Sequence, residues 1–202
     1  DEAKFKPADI HEGLESTLLM LNSRLKAKAH WQGIEVIKEY GELPKIPCHP
    51  GQLNQVFMNI LANAMDALEE SSIPANKTAD YTFPTITIKT ETIDNKSIRI
   101  RIKDNGPGIP EDNIVRLFDP FFTTKPVGKV TGLGLSISHQ IVVEKHNGKL
   151  QCLSQPGKGT EFIIEMPMRW HSDAGEKSDR LRLITKTKTV CSADFSPQRE
   201  RI

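Results

Sequence analysis

The run Ile98-Arg99-Ile100-Arg101-Ile102-Lys103 alternates isoleucine with a cation without interruption, the pattern of a strand with one buried and one solvated face. A second alternating run, Thr85-Ile86-Thr87-Ile88-Lys89-Thr90, precedes it, and Asp94-Asn95-Lys96-Ser97 supplies turn chemistry between them, so the pair reads as an antiparallel hairpin. A two-stranded hairpin is marginal in water, so its isoleucine face needs a second layer. Ile10, Leu14, Leu18, Leu21 and Leu25 recur at helical spacing behind Asp9, a ready N-cap. Leu53, Val56, Phe57, Ile60, Leu61, Ala64 and Leu68 form a longer stripe from Pro50 to Glu70.

A third helix is expected after Gly134, through Ile137, Ile141 and Val142 to about His146, with Gly148 as its C-terminal cap. Ile34, Val36 and Lys38 to Tyr40 read as a strand, and the prolines at 44, 47 and 50 as an extended connection. Lys149 to Leu153 and Thr160 to Met166 read as a last strand pair around Pro156-Gly157-Lys158-Gly159. Helices on one face of a mixed, mostly antiparallel sheet give the expected fold class, a two-layer α/β sandwich. A chain of 202 residues accommodates one such core, and the polar, weakly periodic segment 169–202 is expected to be a mostly disordered tail.

Charge and cysteine usage exclude several functions. Lys and Arg number 27 against 26 Asp and Glu, and a net charge of +1 lacks the field that non-specific nucleic-acid binding needs. Cys48, Cys152 and Cys191 are far apart with no C-x-x-C pair, which supports neither a disulfide framework nor a zinc site and points to a reducing, cytoplasmic compartment. No apolar run approaches the roughly 20 residues needed to cross a bilayer, so no membrane contact is expected from this segment.

The chemistry gathers around the place where alternation stops. Asp104 follows the anchored isoleucines, and a carboxylate there accepts from an adenine 6-amino group while repelling a guanine 6-carbonyl. Gly106 and Gly108 let backbone approach a ring. On the second helix Asn59, Asn63 and Asp66 stand at i, i+4 and i+7, on one face, and asparagine oxygens are hard, neutral ligands suited to Mg²⁺. Gly132-Leu133-Gly134-Leu135 opens a helix whose unpaired amides suit phosphate, and Lys125 and Lys129 add positive charge. Between lies a long loop with a short helical stretch, Glu111 to Leu117, and three aromatics, Phe118, Phe121 and Phe122, that need a surface to pack on. Each piece alone has an ordinary reading: a solvated helix face, an Asp-Asn-Gly turn, a glycine-rich loop. Neither the Walker phosphate loop nor the G-x-G-x-x-G fingerprint is present, so a nucleotide would be held some other way.

In this order, Asn59-Ile-Leu-Ala-Asn63-Ala64, Asp104-Asn-Gly-Pro-Gly108, Phe118-Asp-Pro-Phe-Phe-Thr-Thr-Lys125 and Gly132-Leu-Gly-Leu135 resemble the N, G1, F and G2 boxes of sensor histidine kinases, and Gly157-Lys-Gly159-Thr160 looks like the last element of the same site. The resemblance covers roughly residues 5 to 168 and implies the Bergerat fold, with residues 1–4 ending the linker from a preceding dimerisation helix. It implies ATP and Mg²⁺ as ligands, with Asn63 holding the metal and Asn59 nearby. Asp104 would bind the adenine amino group, helped by Thr160 through water. Gly106, Gly108 and Ile109 would shape the base pocket, with Asp66 beside it. Phe118, Phe121, Thr123, Thr124 and Lys125 would form the lid, whose Lys125 meets the phosphates with the amides around Gly132, Leu133, Gly134 and Leu135. Asn59 and Lys125 would be the catalytic pair.

Asn59 also bears on the reaction. In the ATPase branches of the same superfamily its position is typically Glu, which polarises a water; Asn cannot accept that proton, whereas transfer to a neutral imidazole needs mainly positioning and charge neutralisation. The resemblance therefore implies a protein-histidine kinase domain that works with its own dimerisation and phosphoacceptor domain and a response-regulator receiver, in a parent expected to be a homodimer. Alternatives are an ATPase of the same fold and a nucleotide-responsive binding module. His11-Glu12 lacks the Pro of the family's phosphoacceptor box, so the acceptor is expected outside this chain. Val130 stands where that family commonly has glycine, which implies a stiffer lid.

Overall fold

The computed structural model describes residues 5–27, 32–71, 82–94, 96–125 and 131–169. In chain order the elements are β1 (Lys6–Ala8), α1 (Ile10–Leu25), β2 (Glu35–Tyr40), β3 (Ile46–Cys48), α2 (Pro50–Ser71), β4 (Thr85–Ile93), β5 (Ser97–Asp104), α3 (Glu111–Ile114), α4 (Gly134–His139) with a π-helical continuation Gln140–Lys145, β6 (Lys149–Gln155) and β7 (Gly159–Pro167). Beyond Arg169 the expected tail lies outside the described residues, as do residues 1–4.

Five strands form one sheet in the order β2-β4-β5-β7-β6; β2 runs parallel to β4 and the other pairings are antiparallel. The alternation in β4 and β5 turns Ile86, Ile88, Ile98, Ile100 and Ile102 inward, all buried. Phe162, Ile164 and Met166 of β7 join them. α2 covers this surface with its whole predicted stripe, Leu53 to Leu68, plus Met65, and α1 adds Ile10, Leu14, Leu18 and Leu21. Asp9 caps α1 as expected, accepting from the His11 N–H at 2.8 Å. The result is the expected two-layer sandwich with helices on one face.

The opposite face of the sheet neutralises itself. Arg99 reaches Glu165 at 2.7 Å and Glu91 at 3.3 Å, and Arg101 grips Glu161 with two bonds of 2.8 and 2.9 Å. The two arginines that alternate with isoleucine in β5 are thus spent on cross-strand carboxylates.

Two elements differ from expectation. Lys6–Ala8 and Ile46–Cys48 pair as a small antiparallel ribbon, with Pro7 opposite Pro47; the prolines had marked this stretch only as a connection. The third helix is not α throughout. From Gln140 it widens into π geometry, and its end is made by Asn147 at φ 52°, not by Gly148, whose N–H instead returns to the Val142 carbonyl at 2.8 Å.

Candidate functional site

Asn59, Asn63 and Asp66 of α2, Asp104 at the end of β5, Thr160 of β7 and residues of the stretches 107–125 and 131–134 converge on one cavity of about 580 Å³. Its lining also includes Gly108, Ile109, Thr123, Thr124, Lys125, Gly132, Gly134 and Leu135 from the expected set. Four expected residues lie elsewhere. Gly106 sits behind the wall, where a Cβ would meet Asp104 Oδ1 at 2.9 Å. Leu133 precedes α4 without lining the cavity. Phe118 packs on the His139 ring, centroids 5.2 Å apart, and on the core. Phe121 is 74% exposed, so the expectation that it packs on a surface is corrected. Its φ of 64° and the neighbouring Gly132 explain the arrangement: a Cβ on Gly132 would come within 2.6 Å of the Phe121 carbonyl carbon.

Asp104 is 3% exposed and is held from two sides, Oδ1 accepting the Gly106 N–H at 2.9 Å and the Thr160 N–H at 3.2 Å. Burial raises its carboxyl pKa above the usual value, against the pull of those amides. Thr160 faces it across the β5–β7 pairing. The close approach depends on Gly159, at φ 86°, because a Cβ there would lie 2.0 Å from the Asp104 carbonyl oxygen.

At the other end, Lys125 Nζ donates to Asp66 Oδ2. Arg24 of α1 reaches the other oxygen of Asp66 at 2.5 Å and pairs with Glu69 through two bonds of 3.1 and 2.9 Å. Burial works to raise the Asp66 carboxyl, but its bonds to Lys125 and Arg24 outweigh it and hold the group below the usual carboxylate range. Asn59 spends its Nδ2 protons on the Gly134 carbonyl at 2.9 Å and on Ser138 Oγ at 3.1 Å, which leaves its Oδ1 as an acceptor. The front of α4 is thereby fastened to α2. Its rear is fastened by His146, 1% exposed, whose Nε2 accepts the His49 N–H at 2.9 Å and whose Nδ1–H therefore donates to the Ile141 carbonyl at 2.8 Å. Burial lowers the His146 pKa, in keeping with that neutral form.

The lining includes residues outside the expected set. Glu70 continues the Asn59, Asn63, Asp66 stripe by one more turn, and Phe162 follows Thr160 on the same strand face; both spacings carried that signal. Asn113, Leu117 and Phe122 line the cavity from the long loop, where no periodicity announces direction. His11 is stacked on Tyr40 with centroids 4.4 Å apart and hydrogen-bonded to Thr90 at 2.8 Å, and it does not line the cavity. Among the described residues no three His, Cys, Asp or Glu side chains form a metal-holding group. Lys129 and Val130 lie outside the described residues.

Residues 48–169 match the family described as histidine kinase-, DNA gyrase B- and HSP90-like ATPase. Sporulation kinase E of Bacillus subtilis is 34% identical over 169 residues, which cover 84% of this chain and 20% of the relative. The sensory histidine kinase/phosphatase NtrB of Klebsiella oxytoca is 32% identical over 165 residues, 79% of this chain and 43% of the relative. The solved catalytic domain of histidine kinase ThkA superposes with a TM-score of 0.65 at 26% identity, covering 82% of this chain and 98% of that one. Full-length ShkA, solved in complex with AMPPNP, gives 0.66 at 25% identity, covering 85% of this chain and 32% of that one. This chain therefore spans less than half of those curated relatives and nearly all of an isolated catalytic domain.

Proposed function

Because this chain belongs to the histidine kinase-, DNA gyrase B- and HSP90-like ATPase family and carries the ATP-binding catalytic domain of a sensor histidine kinase, we propose that it binds Mg-ATP in the cavity between α2 and the loop run and transfers the γ-phosphoryl group to a histidine outside this chain. The acceptor lies on a dimerisation domain of the parent, and the phosphoryl group passes from there to an aspartate of a response-regulator receiver. The parent works as a homodimer with this domain, residues 5–168, in the cytoplasm. Among the described residues no helix is long and apolar enough to cross a membrane.

Asp104 Oδ1 is committed to two amides, so its other oxygen accepts from the adenine 6-amino group. Asn63 offers its neutral oxygen to Mg²⁺, with Asn59 Oδ1 beside it. The lining fits an ion completed by phosphates and waters better than one caged by protein, since no cluster of anionic ligands is present among the described residues. When bound, Mg²⁺ neutralises phosphate charge. Lys125 exchanges Asp66 for the phosphates, which the amides from Gly132 to Leu135 also meet, and Thr123 and Thr124 line the same end.

The single observation that carries transfer over hydrolysis is the state of Asn59. Its amide hydrogens are spent on Gly134 and Ser138, and an amide oxygen does not take a proton from water at neutral pH. Asp66 keeps its bond to Arg24 when Lys125 turns to the phosphates, and Glu70 is an exposed residue about three turns away along α2. Among the described residues no general base for water stands at the front of α4.

The test uses the purified chain and a separately purified dimerisation domain of a related kinase carrying the acceptor histidine. Calorimetry should show Mg-ATP binding to the chain, and mixing with labelled ATP should yield acid-labile phosphohistidine. Rapid ATP turnover by the chain alone, abolished by Asn59→Ala, would instead establish an ATPase, and binding without transfer a nucleotide-responsive module.

A further inference from the structure

Ser154 of β6 stands one step behind the cavity and joins three parts of its base end. Its Oγ receives the Ile109 N–H at 2.8 Å, lies 3.0 Å from the Gly159 carbonyl oxygen and 2.9 Å from Thr160 Oγ1. A serine hydroxyl carries one proton and two lone pairs. The Ile109 amide can only donate and the Gly159 carbonyl can only accept, so one assignment satisfies all three contacts. The Ser154 proton goes to Gly159, one lone pair takes the Ile109 N–H, and the other takes the hydroxyl proton of Thr160. Ser154 is then saturated.

The consequence falls on Thr160, which lines the cavity and is 6% exposed. Its hydroxyl proton is turned back toward Ser154, and its backbone N–H is already given to Asp104 Oδ1 at 3.2 Å. Thr160 has no donor left for a ligand. An ionised Asp104 has none either. A threonine hydroxyl free to rotate would donate to a 6-oxo group as readily as it accepts from a 6-amino group; one whose proton is held elsewhere does only the second.

We propose that Ser154 is a positioning residue for base selection: by holding the Thr160 proton it keeps the edge beside Asp104 free of donors, so the site takes 6-amino purines and turns away 6-oxo purines. The inference deepens the nucleotide reading above and rests on it. Ser154 acts only through Thr160 and Ile109, without touching the nucleotide itself.

Mg-ATP and Mg-ITP test it, since they share sugar and phosphates and differ only on that edge of the base, 6-amino with a bare N1 against 6-oxo with an N1–H. Competition binding on the full chain should show a clear preference of the wild type for ATP. Ser154→Ala should shrink that preference about fivefold, the worth of roughly 1 kcal/mol for one hydrogen bond. Ser154→Thr, which keeps a hydroxyl, should retain most of it. In a Thr160→Val background the same Ser154→Ala change should leave the ratio where Thr160→Val alone put it, because the two residues act as a unit. If Ser154→Ala weakens both nucleotides by one common factor, its role is structural and the proposal falls. Should Ser154→Ala fail to fold, Thr160→Val decides alone: an unchanged ratio would overturn the proposal. A wild type that binds both nucleotides equally, or neither, would remove the adenine reading itself, and this inference with it.

Discussion

At the proposed base end of the cavity Asp104 and Thr160 sit opposite each other on adjacent strands, tied by backbone amides within a sheet whose Ile86, Ile88, Ile98, Ile100 and Ile102 are buried. At the phosphate end Thr123 to Lys125 come from the irregular run between α3 and α4, and Lys125 finds its partner, Asp66, through a side-chain ion pair. Strand pairing fixes positions by several mutually supporting bonds. An ion pair between partly exposed side chains contributes little net stability and is readily exchanged for another anion. On the function proposed above, the end that takes the base is therefore preformed, and the end that takes the phosphates is neutralised internally and recruited.

The largest test of that contrast is Asp104→Asn. The amide oxygen can keep both backbone bonds, but the second oxygen becomes a donor facing a donor, so ATP affinity should fall about 100-fold, or roughly 3 kcal/mol, by calorimetry. The thermal midpoint should not fall, because burial already disfavours the charged form. An affinity that survives the change would remove the base end as the selector.

The same group sets the pH dependence. The raised carboxyl means that the folded form holds its proton more tightly than the unfolded chain, so Asp104 lowers stability as pH rises from the ordinary carboxylate range through the raised value. ATP affinity should run the other way, weakening as acidification protonates the carboxylate. Comparing wild type with Asp104→Asn in melts and titrations across that window isolates the contribution; identical slopes would contradict it.

At the phosphate end, Lys125→Ala should weaken ATP about tenfold, one charge-assisted bond, while leaving adenosine binding unchanged. Asp66→Asn should move ATP affinity a few-fold the opposite way by freeing Lys125, at a cost of about 1 kcal/mol or less in stability. If Asp66→Asn weakens ATP instead, Asp66 contacts the ligand assembly directly and the two ends are less different than described. The smallest expected effect is in hydrogen exchange: the Gly106 and Thr160 amides should be protected without nucleotide, and those of residues 121–125 and 131–133 only with it.

Which parts were readable in advance follows from how far apart the interacting residues lie. α1, α2 and the β4–β5 hairpin announce themselves through local periodicity, and each of their apolar stripes is buried or packed on the core. The site residues on α2 and at the strand ends came from spacing and from the order of the motifs. Periodicity says nothing about the β1–β3 ribbon, where proline against proline hides a pairing between segments about forty residues apart. It is equally silent on Arg24 reaching Asp66, on His146 reaching His49, and on Ser154 behind Thr160, each a bond between side chains or caps that only the folded chain brings together. Phe121 misled because aromatic residues usually imply a packed surface, whereas here backbone geometry beside Gly132 holds it outward.

The π turn from Gln140 to Lys145 has a consequence for how this molecule can vary. An α-helix turns about 100° per residue, so one residue inserted into it would normally swing every residue behind it out of register. A π turn absorbs one surplus residue. With Asn59 pinning the leading turn and His146 pinning the trailing one, the stretch between them works as an expansion joint: a surplus residue within the helix is taken up there while Ile141 and Val142 stay seated in the core.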